Sequence, residues 1–333
     1  MRIEVLKELD DELIVHKESS LKEILKIAPT KAPVKGALCF IKNARFLKDL
    51  ATYENRDQLI LLVNEKTASL MSESIHEYSG VYQTSNLMEM MCSLSKVFYD
   101  EKYSGLNYLL DGRQLNTANI DPSAEIAQQV FVGDGVVIEA GARIHSGSRI
   151  LPFSHIGRNT EVYPNVTLYP FSQVGKDCRI HSNTTIGSDG FGYQFLNGKH
   201  EKIWHMGSVI IENQVEVGAN CSIDSGTFSP TRIGTGTKID NQVQIGHNVE
   251  MGQNVVICGG VAIGGSCIIK DFCVVGGSSA FAPSVELGMG TQAAGGSMIT
   301  KSWPQGSKIG GFPAVEIKEW ISSIRFIRKG VKK

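Results

Sequence analysis

His247 stands in the run IDNQVQIGHNV (239–249). An imidazole with an ordinary pKa near 6.5 is the natural general base at neutral pH, able to take a proton from an attacking amine or hydroxyl. Gly265 follows eighteen residues later, in AIGGSC. A glycine beside such a base leaves its backbone N–H open to the oxyanion that forms when an acyl carbonyl is attacked. The bland alternative for His247 is a polar residue on the outside of a turn. A second concentration of chemistry is GSDGFGYQFLNGKHEKIWHMGSVI (187–210), with four aromatics (Phe191, Tyr193, Phe195, Trp204), two histidines (His200, His205) and three glycines between 187 and 192. It suits a loop that folds over a sugar or a base, and equally a self-packed excursion with its own apolar cluster.

A metal site competes with acyl transfer, because hexad solenoids also serve as zinc enzymes. His145 and His181 lie 36 residues apart, and His155 occupies a different phase. With about 18 residues per coil and a strand spacing of ~4.8 Å, the first two stand roughly 10 Å apart, too far for one zinc within one chain. Ligands shared between two subunits stay open. Seven cysteines without a CxxC pair or a histidine at zinc spacing predict neither a disulfide framework nor a structural zinc.

The elements that must position these residues follow from a period of six. From Ile120 to Ile186, twelve consecutive residues six apart are apolar; the register breaks, resumes at Ile211, Val217 and Ile223, slips by four, and runs through twelve more from Ile233 to Ile299. In a chain that is 42% hydrophobic, twelve hits in a row have a chance of about 3 in 100,000. Glycine often follows the aliphatic, and a small residue stands four places after it. The pattern predicts a mainly β chain built on a left-handed parallel β-helix over 112–312, three hexads per triangular coil. Cys178, Cys221, Cys267 and Cys273 occupy the small fourth place, which predicts packing rather than reactivity.

Residues 1–111 lack the hexad and show a mixed α/β pattern, with strands expected at 58–63 and 80–83 and an amphipathic helix over 86–99. At the far end, 313–333 predicts one helix with the apolar stripe Val315, Ile317, Trp320, Ile321, Ile324 and Ile327, to be buried against the solenoid or a symmetry mate in a homotrimer. Its cations, Arg325, Arg328, Lys329, Lys332 and Lys333, suit a helix C-terminus or an acidic carrier protein. Lys and Arg (33) balance Asp and Glu (34), which gives no field for nucleic acid. No apolar run is long enough to span a membrane, and the first twenty residues mix both charges, so a cytoplasmic protein is expected.

Three blocks resemble one family: IGSDGFGY (186–193), VIIENQVEVGANCSID (209–224) and KIDNQVQIGHNV (238–249). They are similar to the UDP-3-O-(3-hydroxyacyl)glucosamine N-acyltransferases of lipid A biosynthesis, as is GALCFIKNARFLKDL (36–50) to that family's nucleotide-binding segment. The resemblance implies a homotrimer with active sites between subunits, moving a 3-hydroxyacyl chain from the phosphopantetheine of acyl carrier protein to the 2-amine of UDP-3-O-acylglucosamine, without metal or other cofactor. It implies His247 as general base and Gly265 as the amide at the thioester oxygen. Asp240, Asn241 and Gln244 fall at positions around sugar and pantetheine, Asp189, Phe191 and Tyr193 in the loop near the glucosamine, and Phe40, Asn43 and Phe46 around the uracil. Met298 falls where acyl length is set. Three departures stand out: Phe46 replaces a tyrosine, Pro283-Ser284 stands where a Gly-His pair is usual, and Ser225 replaces an arginine. The alternatives are an acetyl-coenzyme A-dependent N-acetyltransferase on a UDP-amino sugar, an O-acyltransferase relative, and a non-catalytic solenoid that binds a nucleotide sugar.

Overall fold

The computed structural model describes residues 1–311 and 317–330. The hexads wind into a three-sided left-handed parallel β-helix whose faces are sheets of ten, nine and nine two- to five-residue strands. Partners along a face are 18 residues apart, as in Arg143 beside Glu161 and Gln244 beside Ala262. At the two breaks the spacing becomes 37 residues, Arg179 beside Glu216, and 22 residues, Glu216 beside Lys238. The extra residues are extruded, and the stacked core continues beneath them: Ile186, Ile211, Ile223 and Ile233 are all buried.

Each hexad turns its corner on the third residue after the aliphatic, which takes a left-handed conformation; Asn248 (φ 59°), Ser266 (φ 62°) and Ser284 (φ 63°) are examples. Asparagine and serine tolerate that region through local hydrogen bonding. The glycine directly after the aliphatic has a different reason. A Cβ on Gly157 would lie 2.5 Å from the Gly175 carbonyl carbon of the next coil, so glycine there permits close stacking. The cysteines of the fourth place are buried, with Cys178, Cys221, Cys267 and Cys273 between 0% and 3% exposed, and burial raises their thiol pKa values.

The hexad-free part forms a five-stranded sheet of order β1-β5-β4-β3-β2, from β1 (Ile14–Lys17), β2 (Lys26–Ile27), β3 (Ala37–Ile41), β4 (Ile60–Val63) and β5 (Gly80–Gln83), parallel except at β1. Helices α1 (Val5–Leu9), α2 (Ala44–Leu50), α3 (Glu65–Leu70) and α4 (Leu87–Tyr103) accompany it. Asn86 caps α4, and Leu87, Met90, Met91, Leu94 and Phe98 bury one face, as the periodicity predicts. A single apolar cluster joins β3, β4 and α4 to Leu196, Ile203, Met206 and Phe228 from the segments extruded by the solenoid. The excursion 187–207 is therefore tied to the sheet layer by packing.

The C-terminal helix is Ile317–Gly330. Of the expected stripe, Val315 lies outside the described residues, as do the side chains of Ile317 and Trp320; Lys332 and Lys333 also lie outside them. Ile321 and Ile327 are exposed and Ile324 is half-buried. Among the described residues no helix is long and apolar enough to cross a membrane.

Candidate active site

With the faces numbered in chain order from Asn119–Ile120, so that Gln244–Ile245 lies on the third, a groove of about 650 Å³ runs between the sheet layer and the solenoid edge where the third face turns onto the first. It is lined by Phe40, Asn43 and Phe46 on one side, Phe191 and Tyr193 above, and His247 and Ser284 on the solenoid edge. The turn from β3 into α2 presents the first group. Asn43 ends that turn and accepts the Arg45 N–H at 3.0 Å, which starts the helix and orients Phe46 one turn on.

His247 follows the strand Gln244–Ile245 and is half-buried. Its Nδ1 lies 3.1 Å from Asn248 Oδ1. That oxygen also accepts from the Thr227 N–H and hydroxyl, while Asn248 Nδ2 donates to the Ser229 carbonyl at 2.9 Å, so the amide orientation is determined by its partners. Nδ1 must then be the protonated nitrogen, and Nε2 carries the lone pair. Nε2 faces Gly265: a Cβ added there would meet it at 2.6 Å. The Gly265 carbonyl accepts from Ser284 N–H at 3.0 Å, whereas the Gly265 N–H donates to no acceptor among the described residues. An imidazole and an uncommitted amide thus adjoin, one coil apart.

The excursion partly fits both readings of its composition. Phe191 and Tyr193 tilt against each other 5.1 Å apart over the groove, with Phe191 85% exposed. Of the remaining aromatics, Phe195 on the hairpin formed by Tyr193–Leu196 and Lys199–Lys202 is exposed and meets His200 edge-on, while Trp204 beyond it is half-buried against Tyr99 of α4. Asp189 is exposed and ion-paired with Lys202.

Asp189, Asp240, Asn241, Gln244 and Met298 do not line this groove. Asp240 and Asn241 occupy the other edge of the third face, in a separate depression of about 480 Å³ lined also by His181, Glu216, Lys238 and Cys258. Their side chains serve the turn: Asp240 Oδ1 accepts the Asn241 N–H, and Asn241 Oδ1 accepts the Ala219 N–H. Three hexads per coil put consecutive corners on different edges, so a difference of six or seven residues from His247 means the width of a face. Gln244 lies between the edges on the outer surface of the third face, and Met298, 63% exposed, stands on the same column, in the order Gln244, Ala262, Ala280, Met298.

Phe228 and Asp224 escape the sequence analysis, and His205 is named there only as part of the excursion. Phe228 stacks on Phe40 at 6.1 Å between ring centroids, and the four-residue slip after Ile223 is the signal that a segment there leaves the coil. Asp224, directly after that aliphatic, has its pKa pushed up to about 6, mainly by burial, against the opposing pull of Gln244 and His247. His205 is 1% exposed and lies edge-on to His247, 5.2 Å between centroids. The histidines weighed as zinc ligands have other partners: His145, Tyr163 and His181 stack in a ladder at 5.3 and 4.5 Å, and His155 meets Glu139 at 3.0 Å.

Residues 153–188 match the family described as bacterial transferase hexapeptide (six repeats). A protein named UDP-3-O-acylglucosamine N-acyltransferase 1 from Legionella pneumophila (strain Paris) is 40% identical over 196 residues, covering 56% of this chain and 54% of that protein. One named UDP-3-O-acylglucosamine N-acyltransferase from Helicobacter hepaticus is 38% identical over 149 residues, 44% of this chain and 46% of that protein. The chain thus spans about half the length of the curated relatives it matches. A solved UDP-N-acetylglucosamine acyltransferase from Campylobacter jejuni is 26% identical, covering 55% of this chain and 68% of that one, with a TM-score of 0.41. The chain carries hexapeptide repeats and is similar over about half its length to proteins named UDP-3-O-acylglucosamine N-acyltransferase.

Proposed function

We propose that this protein is an N-acyltransferase that moves a 3-hydroxyacyl chain from acyl carrier protein to the 2-amine of UDP-3-O-acylglucosamine, as a homotrimer. The observation that carries the proposal is the placement of His247 Nε2 against Gly265 where His247 lines the solenoid edge of an aromatic-walled groove. Nε2 takes a proton as the amine nitrogen attacks the thioester carbonyl and the C–N bond forms. The Gly265 N–H donates to the resulting oxyanion. As the carbonyl re-forms, the C–S bond breaks and the pantetheine thiolate leaves, to be protonated from the imidazolium. Asn248 holds Nδ1–H throughout.

Phe40, Phe46 and Phe228 form the stacking side of the groove for the base, and Lys42 and Arg45 supply cations for the diphosphate. The outward column from Gln244 through Ala262 and Ala280 to Met298 covers three coils, roughly 14 Å, with small residues along its middle. That strip suits a long acyl chain and Met298 as its end stop, which favours this donor over an acetyl group. Asp240 and Asn241, a face away from His247, join the site from a neighbouring subunit.

The test is a mass-spectrometric transfer assay that offers UDP-3-O-acylglucosamine with 3-hydroxyacyl carrier proteins of several lengths. A gain of one hydroxyacyl group that vanishes in His247→Ala is the expected result. No transfer at any length from intact protein would overturn the proposal, and activity with acetyl-coenzyme A alone would replace it.

A further inference from the structure

His205 has no part in the transfer step above, and its surroundings are unusual. Both of its ring nitrogens are buried and have no hydrogen-bond partner among the described residues. Burial of that kind costs free energy and persists where something else is gained. The ring meets His247 at 5.2 Å and 67°, edge to face. Gly190 is wedged between them: a Cβ there would lie 2.7 Å from His247 Cβ and 3.0 Å from His205 Nε2. Gly192 closes the other side, where a Cβ would lie 2.6 Å from His205 Cε1. The residues on either side of His205 are tied down by α4. Ser95 Oγ accepts the Trp204 N–H at 3.0 Å, and Lys102 Nζ donates to the Met206 carbonyl at 2.6 Å while lying over the Phe171 ring. Helix α4 therefore fixes where His205 stands, and His205 stands against the base.

We propose that His205 is a positioning residue for His247, a second imidazole that braces the base edge-on and keeps a polar neighbour beside it when it takes up its proton. This rests on His247 being the base. The other titratable groups around the two rings are Asp224, Asp189 and Lys202, the last two paired with each other. Burial, with His247 as a second cause, lowers the His205 pKa to about 4, so it stays neutral and adds no opposing charge. A ring of similar size without nitrogens would fill the space and leave an apolar neighbour, which disfavours the imidazolium.

The experiment follows the His247 imidazole by NMR through a pH titration in the unaltered protein, His205→Phe and His205→Gln, with transfer kinetics on the same samples. In His205→Phe the His247 pKa is expected to fall by about half a unit or more and kcat by about tenfold, with KM for the nucleotide sugar unchanged. In His205→Gln, which restores a polar group, both return toward the original values. Lys102→Met, which touches neither imidazole, is expected to move His247 in the same direction as His205→Phe, and it serves where the phenylalanine variant does not fold. An unchanged His247 titration in His205→Phe and Lys102→Met overturns the proposal, as do equal shifts in the Phe and Gln variants, which reduce His205 to a space-filler. The titration needs no substrate, so a shift seen in a protein that transfers nothing upholds the brace and sinks only the assigned reaction.

Discussion

His205 and Asp224 titrate in opposite senses. The native imidazole binds its proton only near pH 4, whereas the unfolded one binds near 6.5; acidification through that window therefore favours unfolding, by up to about 3 kcal/mol. Asp224 is the reverse: its native carboxyl takes a proton near pH 6 and its unfolded one near 3.8, so acid favours the native state, by less than the shift suggests because water reaches the side chain. Chemical denaturation at pH 7, 5.5 and 4.5 should show the fall in stability steepened in Asp224→Asn and reversed or flattened in His205→Gln. Parallel curves for all three proteins would contradict this account. Gly265→Ala belongs to the same scale. Its methyl would lie 2.6 Å from His247 Nε2, so the imidazole must swing away, and kcat is expected to fall on the order of 100-fold with an unchanged melting temperature.

At the scale of elements, the third face of the solenoid and helix α4 divide the work. The outward column of that face is small at Ala262 and Ala280 and large at Met298. Ala280→Met is expected to move the preferred donor to shorter chains and Met298→Ala to longer ones, read as product masses from a mixture of chain lengths. An unchanged length profile in both variants would put the acyl chain elsewhere. Helix α4 acts through Ser95 and Lys102 on the excursion that carries Phe191, Tyr193 and His205. Lys102 has its pKa lowered to about 8 by burial, so at neutral pH it keeps the charge that suits the Met206 carbonyl and the Phe171 face.

At the scale of the whole molecule, the edges bearing His247 and Asp240 are a face apart, and one chain does not bring them together. A trimer whose sites use one edge from each of two subunits predicts complementation. His247→Ala and Asp240→Ala, each expected to be nearly inactive alone, should recover measurable transfer when co-expressed, because some mixed trimers then hold one intact pair of edges. No recovery in trimers shown to be mixed would place Asp240 and Asn241 outside the reaction.

Twelve apolar residues at one spacing, twice over, determined the solenoid, since a side chain aimed into a narrow stacked core must recur with the coil's own period. They also placed Gly265 one coil from His247, because 18 residues is one turn. The Leu87–Tyr103 helix was legible for the same reason, from a stripe at helical spacing. Sequence position could not say which of two corner residues face the same groove: Asp240 and His247 are close along the chain and separated by a face, while Phe40 and Phe228 are 188 positions apart and stacked. Nor could it place His205, written in the midst of an excursion of mixed character. Its burial against His247 depends on helix α4, more than a hundred residues earlier, holding Trp204 and Met206 from outside the coil. Periodic contacts repeat along the chain and can be read from it, whereas contacts between an extruded segment and a separate sheet layer exist only once the chain has folded.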